Sequence, residues 1–102
     1  MGQVVLISGG TSGIGKRSAE LFAAEGYQVA ILGRDAIKGQ QVAESLQQSY
    51  PQTKILYIQG DVSKVEDCAK AVAQTVQWGG SLDGLINSAG RCFEKALEEV
   101  TD

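Results

Sequence analysis

The strongest constraint on the fold is a regular alternation of short apolar runs with longer amphipathic segments along the whole chain. The apolar runs, rich in β-branched residues, are 3–7, 27–32, 54–59 and 82–87. The segments with helical periodicity are 13–25, 36–49, 63–78 and one that begins at 94. Strands that are apolar on both faces and separated by helices form parallel sheets, joined by right-handed crossovers and covered on both sides. The sequence therefore predicts an α/β fold with a doubly wound parallel sheet.

Residues with special backbone chemistry mark where the predicted helices begin and end. Gly26 is a natural C-cap for the first helix, and Pro51 forbids continuation of the second. Ser63, with Glu66 three residues later, has the spacing of a capping box. We therefore predict Ser63 as the N-cap of the third helix.

A glycine-rich run, Ser8 to Gly15, lies between the first predicted strand and the first predicted helix. A helix N-terminus presents unpaired backbone N–H groups and a partial positive charge. Glycines there remove the Cβ atoms that would keep a phosphate away from those donors. The spacing is G-x-x-x-G-x-G and not the G-x-G-x-x-G of a common dinucleotide motif. By its spacing alone, the run indicates an anion bound at the start of a helix.

In doubly wound sheets the ligand lies across the carboxyl ends of the strands. Short turns follow the predicted strands at Ser8-Gly9, Gly33-Arg34, Gly60-Asp61 and Asn87-Ser88. Because parallel strands all end at the same edge, the sheet brings these turns together although they are distant in sequence. We predict that the functional site lies there.

Length and composition narrow the function further. The 102 residues form one domain at most, 43% of them are apolar, and the net charge is -3 with no basic cluster. Nucleic acid and anionic membranes are therefore not expected as partners, and the apolar runs are too short to span a bilayer. No basic leader or cleavage site opens the sequence, so we expect a cytoplasmic protein. The absence of histidine excludes Ser-His-Asp and Cys-His catalysis, and no metal site is predicted.

Three motifs at the strand ends together resemble those of the short-chain dehydrogenase/reductase family. The family's T-G-x-x-x-G-[IL]-G motif is matched after the first strand, with Ser8 in place of Thr. Its Asp-Val pair after the third strand is matched by Asp61-Val62, and its N-N-A-G motif after the fourth by Asn87-Ser88-Ala89-Gly90. The resemblance covers the whole chain in the same order. It implies a Rossmann-type sheet, here truncated after the fourth strand, in which 1–102 is the N-terminal, cofactor-binding part of a single domain.

The resemblance implies a role for each residue of these motifs. The residues expected to wrap the phosphates and ribose of the cofactor are Gly9, Thr11, Ser12, Gly13 and Ile14. Gly15 is expected to let the helix pack close to the sheet. The adenine is expected to be bordered by Asp61 and Val62, and the adenosine ribose by Asn87, Ala89 and Gly90. Taken singly, each residue also fits a structural role, as a turn glycine, a helix-start residue or a strand-end cap.

Arg34 bears on which cofactor binds. By the resemblance, members that bind NAD place Asp or Glu at the end of the second strand, where this chain has Gly33 followed by Arg34. A guanidinium there can pair with a 2′-phosphate, and such a charge-assisted bond contributes about 1.5–3 kcal/mol. We therefore predict NADP(H) as the cofactor. NAD(H) stays the alternative because Ser12 is not basic, Asp35 follows Arg34, and a solvated turn would also suit an arginine.

Two further patterns suggest other chemistry. Tyr50 and Lys54 have the Y-x-x-x-K spacing of the family's catalytic pair, but Pro51 lies between them and they precede the third strand, so we assign them no catalysis. The segment 10–16 fits G-x-x-x-x-G-K, but Arg17 stands where a P-loop needs the hydroxyl that binds Mg²⁺. A P-loop-like NTP-binding protein is therefore the least favoured alternative.

The catalytic serine, tyrosine and lysine of the family, beyond its fifth strand, have no counterpart in this sequence. By the resemblance, the chain is part of an NADP-dependent oxidoreductase acting on a carbonyl or alcohol. We expect the isolated chain to bind the dinucleotide without turnover, with the small-molecule substrate bound only by the full-length parent. The alternative is a free-standing nucleotide-binding or interaction module. Truncation after the fourth strand is also expected to expose its Leu85-Ile86 edge and favour self-association.

Overall fold

The computed structural model describes residues 3–9 and 13–86, and it confirms the predicted alternation. The elements, in chain order, are β1 (Val4–Ser8), α1 (Gly13–Ala24), β2 (Gln28–Gly33), α2 (Ala36–Ser49), β3 (Ile55–Gln59), α3 (Val65–Gly79) and β4 (Gly84–Ile86). Their ends lie within two residues of the predicted ones, and both ends of α2 agree. The helix expected from residue 94 lies outside the described residues. None of the helices within the described ranges is long and apolar enough to cross a bilayer.

The four strands form one parallel sheet in the order β3-β2-β1-β4. β1 lies between β2 and β4, with Ile7 opposite both Ile31 and Ile86. The chain therefore winds outward from β1 to β3 and then crosses back to the other side of β1. The direction of winding reverses between β1 and β4, and doubly wound sheets bind ligands at the carboxyl end of such a point. The glycine run predicted to bind an anion follows β1 there.

Both faces of the sheet are covered, as the strands that are apolar on both faces predict. Alternate residues of a strand point to opposite faces, so each strand contributes to two cores. The core that joins the sheet to α1 and α2 contains Val5, Ile7, Val29, Ile31, Ala19, Ala23, Val42, Ala43 and Leu46. The core that joins it to α3 contains Leu6, Ala30, Leu32, Ile58, Cys68, Ala71 and Val72. Every residue of β1 is fully buried, which fixes the start of the glycine run.

Glycines in the left-handed conformation end α1 and α3. Gly26 has a φ of 90° and Gly80 a φ of 88°, a conformation that residues with a Cβ rarely adopt. After α1, the Tyr27 N–H donates to the Phe22 carbonyl at 3.0 Å, and the two rings pack edge to face with centroids 4.9 Å apart. This is the Schellman arrangement, so α1 turns directly into β2.

Ser63 does not cap α3, so that prediction is wrong by one residue. The helix begins at Val65, and Lys64 is the N-cap residue. The Ser63 hydroxyl instead donates to the Asp61 carboxylate at 2.7 Å. A charged acceptor two residues earlier competes with the helix for this hydroxyl, because charge-assisted hydrogen bonds are the stronger kind. Ser63 therefore belongs to the turn that carries Asp61.

The Asp83 carboxylate fixes β4 to β1 at the amino edge of the sheet, which is the end where the parallel strands begin. Asp83 Oδ2 accepts from the Val4 N–H at 2.8 Å, and the Asp83 N–H donates to the Val4 carbonyl at 2.8 Å. The Ser81 hydroxyl donates to the same carboxylate oxygen at 2.9 Å. These bonds, above all the one from Val4, hold the pKa of Asp83 below its usual value.

Within the described residues β4 pairs with β1 alone, and self-association through the unpaired side of β4 stays a prediction.

Candidate functional site

Two glycines on either side of residues 10–12, Gly9 and Gly13, have positive φ angles, a conformation that favours glycine. Gly9 has a φ of 74°, and its N–H donates to the Leu32 carbonyl at 3.0 Å, which ties the turn to β2. Gly13 begins α1 with a φ of 55°, and among the described residues no heavy atom outside its chain neighbours and the α1 backbone lies within 4 Å of where a Cβ would stand. Gly15 is buried in the first turn of α1, and its role in close helix packing stays a prediction. Described residues therefore leave the Cβ position of Gly13 unobstructed, while the hydrogen bond from Gly9 fixes the beginning of the turn to β2.

Ile14 lies on this open side, in the first turn of α1. Its side chain is 79% exposed, more than any of the other large apolar residues that the structure leaves in solvent. A ligand bound at the helix start would cover it. The remaining predicted residues of the phosphate turn and of the fourth strand end lie outside the described residues; they are Thr11, Ser12, Asn87, Ala89 and Gly90.

The turn after β2 places a cation beside a position that has no side chain. Gly33 ends β2, and Arg34 follows it with its side chain exposed. The carboxylate of Asp35 accepts the N–H groups of Ile37 and Lys38, each at 3.1 Å, as the N-cap of α2. Such a cap stabilises a helix by about 1 kcal/mol. Asp35 is therefore held by α2, and the turn offers a ligand the Arg34 guanidinium.

The turn after β3 presents an ionised carboxylate. Asp61 Oδ1 accepts from the Ser63 N–H at 2.9 Å and from the Ser63 hydroxyl at 2.7 Å. These two bonds lower the pKa of Asp61, and the charges of Arg34 and Lys64 lower it further. Asp61 is therefore negatively charged at neutral pH. Val62, the second residue of the predicted pair, packs against the core on the α3 side.

These two turns line one groove of about 320 Å³. Its lining residues are Arg34, Gln59, Gly60, Asp61 and Asp67. The structure thus brings together Arg34 and Asp61, which were predicted from separate strand ends. The Gly60 N–H donates to the Gly33 carbonyl at 3.1 Å, which extends the pairing of β2 and β3 to the edge of the groove.

Sequence reasoning missed Asp67, whose carboxylate accepts the Asp61 N–H at 2.8 Å. An acidic residue in the first turn of a helix often reaches back to backbone N–H groups before the helix. That signal was present, but the predicted capping box assigned it to Glu66 because the helix was expected to begin one residue earlier. Gln59 was also missed, since the last residue of a strand carries no pattern that distinguishes a groove residue from a solvated one.

The Tyr50 and Lys54 pair, and Lys16 of the P-loop-like pattern, do not line this groove. Tyr50 is the C-cap residue of α2 and Lys54 precedes β3, so the pair does not share a helix face. Lys16, the lysine of the P-loop-like pattern, lines a separate groove of about 200 Å³ between α1 and α2. The tyrosine and lysine therefore lack the geometry of a catalytic pair, while residues 10–12 of the P-loop-like pattern lie outside the described residues.

Comparison with known proteins identifies the family. Residues 3–102 match the family model described as short chain dehydrogenase. The chain belongs to the short-chain dehydrogenase family. Among its relatives, 11-beta-hydroxysteroid dehydrogenase-like 2 of Arabidopsis thaliana is 43% identical over 100 residues, and general stress protein 39 of Bacillus subtilis is 39% identical over 103. Each alignment covers 98% of this chain, but only 32% and 35% of the relative, so the chain spans about a third of the length of these short-chain dehydrogenase relatives.

Solved structures agree with this assignment. The L-sorbose reductase of Gluconobacter frateurii, complexed with NADPH and L-sorbose, superimposes with a TM-score of 0.82 at 32% identity, over 87% of this chain and 34% of the reductase. An actinorhodin polyketide ketoreductase with NADPH gives a TM-score of 0.80 at 30% identity, over 88% of this chain and 34% of that protein. The fold is therefore the Rossmann fold of the short-chain dehydrogenases, a family of oxidoreductases.

Proposed function

We propose that residues 1–102 form the NADP(H)-binding portion of a short-chain dehydrogenase that transfers a hydride between the nicotinamide cofactor and a carbonyl or alcohol substrate. One observation carries the choice of NADP(H). Arg34 and Asp61 line the same groove, Gly33 has no side chain, and Asp35, the N-cap of α2, is not among the described residues that line this groove. A 2′-phosphate in this groove would meet a guanidinium and no acidic side chain from the turn after β2.

The chemistry of the groove suits an adenosine 2′-phosphate. The ionised Asp61 carboxylate can accept from the exocyclic amine of adenine, and the Arg34 guanidinium can pair with the phosphate or stack on the ring. The pyrophosphate would lie at the start of α1, where Gly13 leaves open space and the helix supplies N–H donors. Ile14 would be covered at the same time. The NADPH held by the related L-sorbose reductase and ketoreductase supports this assignment.

When bound, the cofactor supplies a hydride to a carbonyl carbon, the carbonyl oxygen takes up one proton, and the oxidised nicotinamide remains. The described residues of this chain contribute binding and orientation to that reaction. We assign the proton donor and the substrate pocket to the whole protein, since the chain spans about a third of its relatives. The choice of substrate therefore also belongs to the whole protein.

Titration of the chain with NADPH and NADH, followed by calorimetry and by thermal protection, tests the proposal. We expect NADPH to bind more tightly, and Arg34→Ala to weaken NADPH binding by roughly 10- to 150-fold while NADH binding changes little. Lys70→Ala, which removes an exposed cation on α3, is the charge-matched control and should leave both affinities unchanged. Equal binding of the two dinucleotides would contradict the proposal. Protection by ATP-Mg²⁺ alone would favour the P-loop alternative.

A further inference from the structure

Two side chains of β3 hold the turn that carries Arg34. The Tyr57 hydroxyl donates to the Gly33 carbonyl at 2.7 Å, and Gln59 Nε2 donates to the Arg34 carbonyl at 3.3 Å. Tyr57 and Gln59 are two residues apart and therefore point to the same face of β3. The register of β2 and β3 ends at the pair Gly33 and Gln59. The Gly33 carbonyl thus accepts from both the Gly60 N–H, at 3.1 Å, and the Tyr57 hydroxyl, and the Gln59 side chain continues the pairing of β2 and β3 to Arg34.

The Tyr57 ring is itself fixed by α2. A Cβ on Gly39 would fall inside this ring, so the ring occupies the place that any other residue at 39 would need. Gly39 is buried in the first half of α2, where glycine costs about 0.5–1 kcal/mol relative to alanine. Burial, and then the nearby charge of Asp35, raises the pKa of Tyr57, so its hydroxyl stays a donor at neutral pH. The packing of the ring against Gly39 therefore fixes the phenol where its hydroxyl donates to the Gly33 carbonyl.

We propose that Tyr57 is a positioning residue that holds Arg34 for the 2′-phosphate and so helps to set the preference for NADP(H) over NAD(H). Tyr57 does not line the groove, so it acts through the turn and not by touching the ligand. A turn fixed at both carbonyls loses less conformational freedom when Arg34 binds a phosphate, which is the general benefit of preorganisation. This inference rests on the proposed function of Arg34.

Tyr57→Phe is the sharpest variant because it keeps the ring beside Gly39 and removes a single hydrogen bond. We expect the ratio of the NADH to the NADPH dissociation constant to fall roughly three- to tenfold, the value of one net hydrogen bond, with NADH binding nearly unchanged. In the Arg34→Ala background, Tyr57→Phe should no longer change NADPH affinity. Tyr27→Phe removes a phenol hydroxyl at the opposite end of the sheet and should leave the ratio unchanged.

The outcomes separate this inference from the proposal on which it rests. If the wild-type chain does not distinguish NADPH from NADH, the role of Arg34 fails and that of Tyr57 fails with it. If the wild-type chain does distinguish them, an unchanged ratio in Tyr57→Phe overturns the positioning role alone. An equal loss with and without Arg34 would likewise overturn it, because it would indicate a general loosening of the fold. Should Tyr57→Phe unfold, Gln59→Met removes the second donor from the same face and is expected to lower the ratio by a smaller factor. Because Gln59 also lines the groove, that loss must disappear in the Arg34→Ala background, and a loss that persists there would overturn the positioning role of this face.

Discussion

Asp61 and Asp83 make the same kinds of hydrogen bond at opposite edges of the sheet. Each accepts one backbone N–H and one serine hydroxyl, and each has a lowered pKa. Asp61 takes both bonds from Ser63, two residues along the chain. Asp83 takes its backbone bond from Val4, 79 residues away.

The difference shows how the fold divides its work. The long-range bonds of Asp83 join β4 to β1 and so help to close the sheet. The local bonds of Asp61 shape a single turn and engage only one carboxylate oxygen, Oδ1. Its second oxygen takes no part in these two bonds, and the residue lines a groove that also contains Arg34. The amino edge is therefore expected to govern stability, and the carboxyl edge to govern ligand binding.

Removal of the Asp83 carboxylate is expected to have the largest effect on stability. Asp83→Ala leaves the N–H of the fully buried Val4 without its acceptor, and unsatisfied buried donors are costly. We expect the midpoint of thermal unfolding, followed by circular dichroism, to fall by several degrees. NADPH affinity of the folded protein should not change. Ser81→Ala removes the weaker partner of the same carboxylate and should lower the midpoint less; an unchanged midpoint in Asp83→Ala would remove the basis of the comparison.

Removal of the Asp61 carboxylate should show the opposite balance. Asp61→Ala is expected to weaken NADPH binding by roughly tenfold, the value of a hydrogen bond to a charged group, and to lower the unfolding midpoint less than Asp83→Ala does. Asp61→Asn keeps the Oδ1 acceptor for Ser63 but replaces the second oxygen with an NH2 donor, so NADPH affinity should fall nearly as far as in Asp61→Ala while the midpoint falls less. Calorimetric titration and thermal unfolding of the same samples measure both quantities. A large loss of stability with unchanged affinity would show that Asp61 is a structural residue.

Much of this comparison could be anticipated from the sequence, and the reason lies in periodicity. The doubly apolar runs predicted buried parallel strands, and the order of strands along the chain placed Arg34 and Asp61 at one edge. Gly26 marked the end of α1 because the left-handed conformation there is specific to glycine. These signals depend only on residues close to one another in the sequence, so they can be recognised without knowledge of the fold.

The contacts that shape the groove could not be anticipated, because they join elements whose neighbourhood only the fold determines. Nothing near Tyr57 in the sequence indicates that its hydroxyl reaches Gly33, 24 residues away. The capping role of Asp35 was missed because the residue was weighed as a competitor of Arg34 for the ribose. Its Oδ1 accepts two N–H groups of α2, and Asp35 is not among the described residues that line the groove containing Arg34.

Gly13 and Gly26 offer a matched pair with a smaller expected effect. Both have positive φ, 55° and 90°, and within the described part of the chain no heavy atom beyond the local backbone and chain neighbours lies within 4 Å of where either Cβ would stand. Alanine at either position therefore costs only the left-handed backbone, about 1–2 kcal/mol, seen as similar losses in denaturant unfolding. Gly13→Ala should in addition weaken NADPH binding, because its methyl group would occupy the open space in front of α1. Equal affinities in the two variants would mean that no phosphate approaches Gly13.

Acid should reveal the smallest difference between the two edges. A carboxyl group whose pKa is lowered in the folded state stabilises it fully above its unfolded value, here 3.8, and the contribution disappears as the pH falls through the lower folded value. In Asp61→Asn and in Asp83→Asn, the midpoint of thermal unfolding should therefore fall less steeply as the pH drops below about 4. Between pH 6 and 8, roughly the neutral range, neither substitution should change how the midpoint depends on pH. Because the two carboxylates lie at opposite edges and share no partner, their effects on the acid slope should add in the double variant. A double variant no flatter than either single one would show that the edges are coupled, and that stability and binding are not divided between them.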